Sequence, residues 1–88
     1  MQVKVHKLKI SHRYFADIIC AGKRFELRKD DRGYSLGDVI RLREIENGEY
    51  TGAAIEFTIT YVLRGCPEYG LMSEYCILGF DHYSWIKQ

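Results

Sequence analysis

Apolar and polar positions alternate with a period of two along much of this chain, the signature of half-buried strands. Val3 and Val5, then Leu8 and Ile10, mark a first strand over residues 3–9. The change of phase between the two pairs predicts a bulge near His6-Lys7. The period then lengthens. Phe15, Ile18 and Ile19 stand at i, i+3 and i+4, an apolar stripe on a helix that Ser11 can cap and that runs to about Ala21. Gly22 follows, where a helix end favours positive φ. Residues 24–29 return to alternation, with Phe25 and Leu27 expected on the core face and Arg24, Glu26 and Arg28 on the other.

Asp30-Asp31-Arg32-Gly33 and Gly37-Asp38 read as turns. Val39–Glu46 is a strand, and Asn47-Gly48-Glu49 is a hairpin signal. Residues 54–63 give the clearest strand pattern. Ile55, Phe57, Ile59, Tyr61 and Leu63 share one face, and Val62 is the exception on the other. Residues 65–70 form a loop and residues 75–80 a last strand. Tyr83 and Trp85 predict that residues 81–88 pack against the body of the protein. Five or six strands with one main helix after the first predict an α+β, mainly β fold, a small partly closed β-barrel plugged by the helix.

The 88 residues suffice for one domain, 1–88. No apolar run reaches the roughly 18 residues of a membrane span. The first residues mix charge with apolarity where a secretion signal needs an unbroken apolar run, so the expected location is cytoplasmic. Cys20, Cys66 and Cys76 are an odd, widely spaced set with no C-x-x-C. That argues against a disulfide framework and a zinc knuckle, and neither metal nor cofactor is expected. The formal charge of +1 conceals an asymmetry. Residues 1–32 carry nine Lys/Arg against four Asp/Glu; residues 33–88 carry four against eight. A basic half attracts phosphates locally, although an uneven solvated surface gives the same count.

The richest segment is Gly22–Arg32, with five basic and three acidic residues among eleven. Lys23, Glu26 and Arg28 supply a cation, an acceptor and a guanidinium fork that together suit a phosphate and a base edge. The competing reading is an ion-paired outer strand face in which Glu26 bridges Lys23 and Arg28. Among the three histidines, His6 could stand at a cleft edge as a proton donor or be a satisfied structural residue; His12 and His82 have no metal-ligand spacing. Tyr69, after Pro67, could stack on a base.

Lys23-Arg24-Phe25-Glu26-Leu27-Arg28 resembles the K-x-x-E-x-R core of the ASCH motif, G-x-K-x-x-E-x-R, with Ala21 at the motif's glycine position and Gly22 adjacent. The likeness continues through Gly37-Asp38-Val39-Ile40, Glu49-Tyr50-Thr51-Gly52, Tyr69-Gly70-Leu71 and Tyr75-Cys76-Ile77-Leu78, and so spans nearly the whole chain. It is close to a small ASCH-like family common in phages and prophages. The resemblance implies a PUA-like barrel whose motif residues line a cleft beside the helix, and RNA or a nucleotide as partner. Lys7, Lys9, Lys23, Arg28, Lys29 and Arg32 would then contact phosphates, with Glu26 and Tyr69 reading a base. One ASCH branch hydrolyses the acetyl amide of N(4)-acetylcytidine with a lysine, a threonine and a glutamate, and others are credited with ribonuclease activity. Here Glu26 occupies the threonine position. A hydrolase reading would use Lys23 as nucleophile or base and Glu26 as acid or base. An accessory protein that binds another protein through Tyr83 and Trp85 is a third possibility.

Overall fold

In the computed structural model, which describes residues 3–86, Ser11 ends strand β1 (Val5–Ser11) and stands at the N-cap of helix α1 (His12–Ala21). The helix buries Phe15 and Ile18, as its stripe predicts. It ends on Gly22, whose φ of 73° is the left-handed cap conformation a side chain would resist. Strands β2 (Phe25–Lys29), β3 (Val39–Glu46) and β4 (Glu49–Thr58) follow. Asn47 and Gly48 both have positive φ, which makes the β3–β4 connection the tight hairpin that its Asn-Gly pair predicts. Strands β5 (Tyr61–Leu63), β6 (Tyr75–Gly79) and β7 (Ser84–Trp85) complete the described elements, with a single 3-10 turn at Pro67–Tyr69.

These strands form two sheets, β1-β3-β4-β7 and β2-β6-β5. β1 runs parallel to β3, and the other pairs are antiparallel. One core fills the space between the sheets and α1, with Ile18, Ile40, Leu42, Ile55, Ile59, Cys76 and Leu78 fully buried. Phe57 and Phe80 stack at a centroid distance of 3.8 Å. The fold is α+β and mainly β. No closed barrel forms among the described residues, because the edge strands of one sheet, β1 and β7, are not paired with those of the other, β2 and β5.

Three local expectations are corrected. The strand expected over residues 54–63 is two strands in two sheets. Ile59 and Thr60 turn the corner, with Ile59 N–H donating to Asp38 O and Thr60 N–H to Gly79 O, both at 2.9 Å. Tyr61 is consequently exposed and Val62 packs on the core, so Val62 was in phase with a new strand. This break and the short β7 raise the expected five or six strands to seven among the described residues. Trp85 pairs with Ile55 through β7 and sets its ring against Phe15, yet stays more than half exposed; Lys87 and Gln88 lie outside the described residues.

The bulge near His6-Lys7 is absent: β1 pairs with β3 in unbroken register from Val5 to Ser11. The register shift lies instead between Arg43 and Ile45, on the hairpin. The phase of β1 is set by His6, Leu8 and Ile10 pointing inward, with Val5 left outside. His6 takes an interior position because its Nε2–H donates to Asp38 Oδ2 at 2.9 Å. That bond, with a second from Ser35 N–H, holds the Asp38 carboxyl below the usual range. Replacing Asp38 by Ala strands the His6 and Ser35 donors. The expected loss is about 2 kcal/mol in urea denaturation, and a change below about 0.5 kcal/mol would contradict this account of β1.

Candidate functional site

The alternation along β2 is as predicted, but its phase is inverted. Phe25 and Leu27 are 47% and 55% exposed, whereas Glu26, at 4%, faces inward with Arg28. The β2–β6 register explains this. Glu26 is opposite Leu78 and Arg28 opposite Cys76, and directly opposed residues share a face. Leu78 and Cys76 are fully buried, so they carry the two charged residues in with them.

Lys23, released by the Gly22 cap, donates from Nζ to Glu26 Oε2 at 3.3 Å. Arg28 Nη2 lies 3.7 Å from Glu26 Oε1. The three motif residues therefore converge with Glu26 bridging two cations, on the inner strand face and not the outer one. The Lys23 ammonium also lies 5.3 Å from the Tyr14 ring centroid and 5.2 Å from that of Phe25. A carboxylate and two rings are contacts that suit a cation. Glu26 Oε1 and Arg28 Nε are buried without a hydrogen-bond partner, since 3.7 Å is too long for one. An unsatisfied buried oxygen is costly, and a donor from a ligand would relieve that cost.

The Glu26–Arg28 pair links two clefts, with Glu26 lining one and Arg28 the other. The first, about 660 Å³, is lined by Tyr14, Asp17 and Ala21 of α1 with Lys23, Phe25, Glu26 and Leu27. It combines exposed apolar and aromatic surface with the buried carboxylate. The second, about 410 Å³, is lined by Lys7, Leu8, Lys9, Arg28, Arg32, Arg43 and Tyr50, five cations and no carboxylate. Both volumes fall in the usual range of ligand pockets, about 300–1,000 Å³.

The second cleft lies where β1 and β2 fail to pair. Arg28 Nη2 donates to Lys9 O at 2.7 Å and Arg32 Nη1 to Lys7 O at 3.4 Å, so arginine side chains occupy the carbonyls of the β1 edge. Arg32 is carried by a loop anchored elsewhere. Asp30 accepts two bonds from Arg64, and Arg64 also donates to Tyr34 O. The Arg43 guanidinium stacks 3.7 Å above the Tyr50 ring centroid, and Lys9 Nζ lies 5.8 Å from the same ring.

Of the residues singled out from sequence, Lys7, Lys9, Arg28 and Arg32 come together in the basic cleft, and Lys23 and Glu26 line its neighbour. Lys29 and Tyr69 line neither; Tyr69 is 87% exposed on its 3-10 turn. Tyr14 and Asp17 share a helix face with Ala21 at i, i+3 and i+7, a legible signal that a core-directed reading passes over. Arg43 and Tyr50 were hidden by topology, because Arg43 joins the cleft only through its parallel pairing with Lys9. A separate hollow of about 260 Å³ contains Glu56, Asp81 and His82 and shares no residue with these clefts.

His12 forms another cluster at the start of α1. Its Nδ1–H donates to Glu44 Oε2 at 2.7 Å, Thr51 Oγ1 donates to Glu44 Oε1 at 2.6 Å, and Glu46 Oε2 lies 3.7 Å from His12 Nε2. The bond to Glu44, then the charge of Glu46, raises the His12 pKa above 6.5. Burial pushes the Glu44 carboxyl up, but the Thr51 and His12 bonds outweigh it and hold it below the usual range.

Residues 5–80 match the family described as "Domain of unknown function (DUF3850)". The chain is also similar to a protein of Escherichia phage P2 described as an uncharacterized 12.9 kDa protein in the GpA 3′ region. The two are 40% identical over 62 residues, 70% of this chain and 57% of the phage protein's length. No helix among the described residues is long and apolar enough to cross a membrane.

The His12 cluster makes stability depend on pH with a definite sign. A raised histidine pKa stabilises fully below 6.5 and loses its contribution as pH rises through the folded-state value. At the acid end, the Glu44 contribution disappears as pH falls through its lowered pKa. His12→Gln should therefore lower Tm relative to the native protein at about pH 6 and much less at about pH 9. Equal deficits at both would show that the His12 charge contributes nothing.

Proposed function

The chain belongs to the DUF3850 family, and we propose that it binds single-stranded RNA or a nucleotide across these two clefts. The observation that carries this reading is the Glu26–Arg28 junction. On one side are five cations without a carboxylate, and on the other are aromatic walls beside an unsatisfied buried acceptor. Phosphates bind Lys7, Lys9, Arg28 and Arg32. The base lies against Tyr14 and Phe25, and its exocyclic amino group donates to Glu26 Oε1. Aromatic stacking and a carboxylate acceptor are the usual means of holding and reading an unpaired base. The ASCH resemblance supports the same assignment. On this reading the fold is a PUA-like barrel left open between β1 and β2, and the opening is the ligand cleft.

Fluorescence anisotropy with short labelled RNAs tests the proposal. Affinity should fall as salt rises, and each phosphate contact removed by Lys7→Ala or Lys9→Ala should flatten the log–log slope by about 0.7. Glu26→Gln should cost about tenfold, or about 1.4 kcal/mol, for an amino-bearing base and little for uracil. Binding that is insensitive to salt and unchanged by Arg28→Ala would overturn the proposal. Turnover of acetylated cytidine or RNA that depends on Lys23 would move the assignment to a hydrolase.

A further inference from the structure

The basic cleft holds more charge than the phosphodiester of one bound nucleotide can neutralise. Resting on the nucleotide-binding reading, we propose that it takes the terminal di- or triphosphate of its ligand, with Arg43 as a ligand-contacting residue positioned by Tyr50.

The register places the cations on one face. Lys9 and Arg43 are direct partners on adjacent strands, with backbones about 4.8 Å apart, and Lys7 is two residues along on the same face. Arg43 and Lys9 both lie against the Tyr50 ring, the guanidinium 3.7 Å and Nζ 5.8 Å from its centroid. Arg28 and Arg32 reach the same cleft from the β2 side. Like charges gathered in one cleft repel one another, and an anion of matching charge removes the repulsion. An internal phosphodiester brings one negative charge, whereas a terminal phosphate brings up to about −2, so a terminal di- or triphosphate reaches about −3 to −4.

The partners of the guanidinium groups point the same way. Elsewhere Arg41 and Arg64 are matched to carboxylates, Glu56 and Asp30. In the cleft, Arg28 and Arg32 are instead held by the backbone carbonyls of Lys9 and Lys7, and Arg43 by the face of Tyr50. A carbonyl or a ring orients a guanidinium without neutralising it. Among the described residues only Arg28 of the three has a carboxylate within ion-pair distance, Glu26 at 3.7 Å, and its buried Nε has no hydrogen-bond partner there. Three oriented forks with spare donors suit the crowded oxygens of a phosphate chain, which guanidinium groups bind in bidentate fashion.

The test compares one short RNA bearing a 5′-triphosphate with the same RNA bearing a 5′-hydroxyl, and a nucleoside triphosphate with its nucleoside. The triphosphate forms should bind at least about tenfold more tightly. Inorganic tripolyphosphate should displace them at lower concentration than inorganic phosphate does. An advantage in both pairs, or in either alone, supports the proposal and tells a free nucleotide from an RNA end as its source. Arg43→Ala should remove most of the advantage, and Arg43→Lys should restore only part, because lysine keeps the charge and loses the stacked fork. Binding with no triphosphate advantage in either pair would overturn this inference and leave nucleotide binding intact. Failure of all four ligands to bind would overturn both.

Discussion

The basic cleft depends on side chains that cap the free carbonyls of an edge strand. β1 and β2 are edge strands of different sheets, and the carbonyls of Lys7 and Lys9 are satisfied by Arg32 and Arg28. Arginine bridges satisfy the same carbonyls while keeping cationic groups at the opening. Thus two of the contacts between the sheets, Arg28 to Lys9 O and Arg32 to Lys7 O, also line the basic cleft.

The second constraint is the burial of Glu26. A carboxylate this enclosed is tolerated only with compensating charge, and Lys23 and Arg28 supply it from either side. The compensation is uneven. Oε2 accepts a hydrogen bond, whereas Oε1 has only a distant guanidinium. A purely structural ion triad would be expected to satisfy both oxygens. The remaining acceptor is enclosed beside Arg28, and this unfilled oxygen is what the proposed recognition of a base draws on.

The parts legible in the sequence are those set by neighbouring residues. Ser11 and Gly22 bracket α1, Phe15 and Ile18 give its buried face, and Asn47-Gly48 gives the hairpin, because each depends on local dihedral preference or a short period. What failed depends on partners distant in sequence. The phase of β1 turns on Asp38, 32 residues from His6, and the phase of β2 on Leu78 and Cys76. The break at Ile59–Thr60 belongs to a corner between sheets, and its one visible trace was Val62 standing out of phase. Within the site, the motif spacing identified Lys23, Glu26 and Arg28. Arg43 required knowledge that β1 and β3 run in parallel, which no local pattern encodes.

The inversion of β2 bears most directly on function. Sliding the strand by one residue would enclose Phe25 and Leu27 and return Glu26 and Arg28 to water. Full burial of such a side chain is worth about 1.5–3 kcal/mol, so leaving two of them half-exposed forgoes about the same amount in all. The observed register also takes charge out of water, a second cost in the same direction. Packing of Leu78 and Cys76 locks the register, but it does not explain why residues 26 and 28 are charged when apolar ones would fit the same face. A strand patterned against its own burial is a local violation of the usual rule, and such violations concentrate at functional or strained sites. On the proposed reading, Phe25 and Leu27 on the outside would meet a flat partner, and Glu26 and Arg28 on the inside would gain hydrogen bonds.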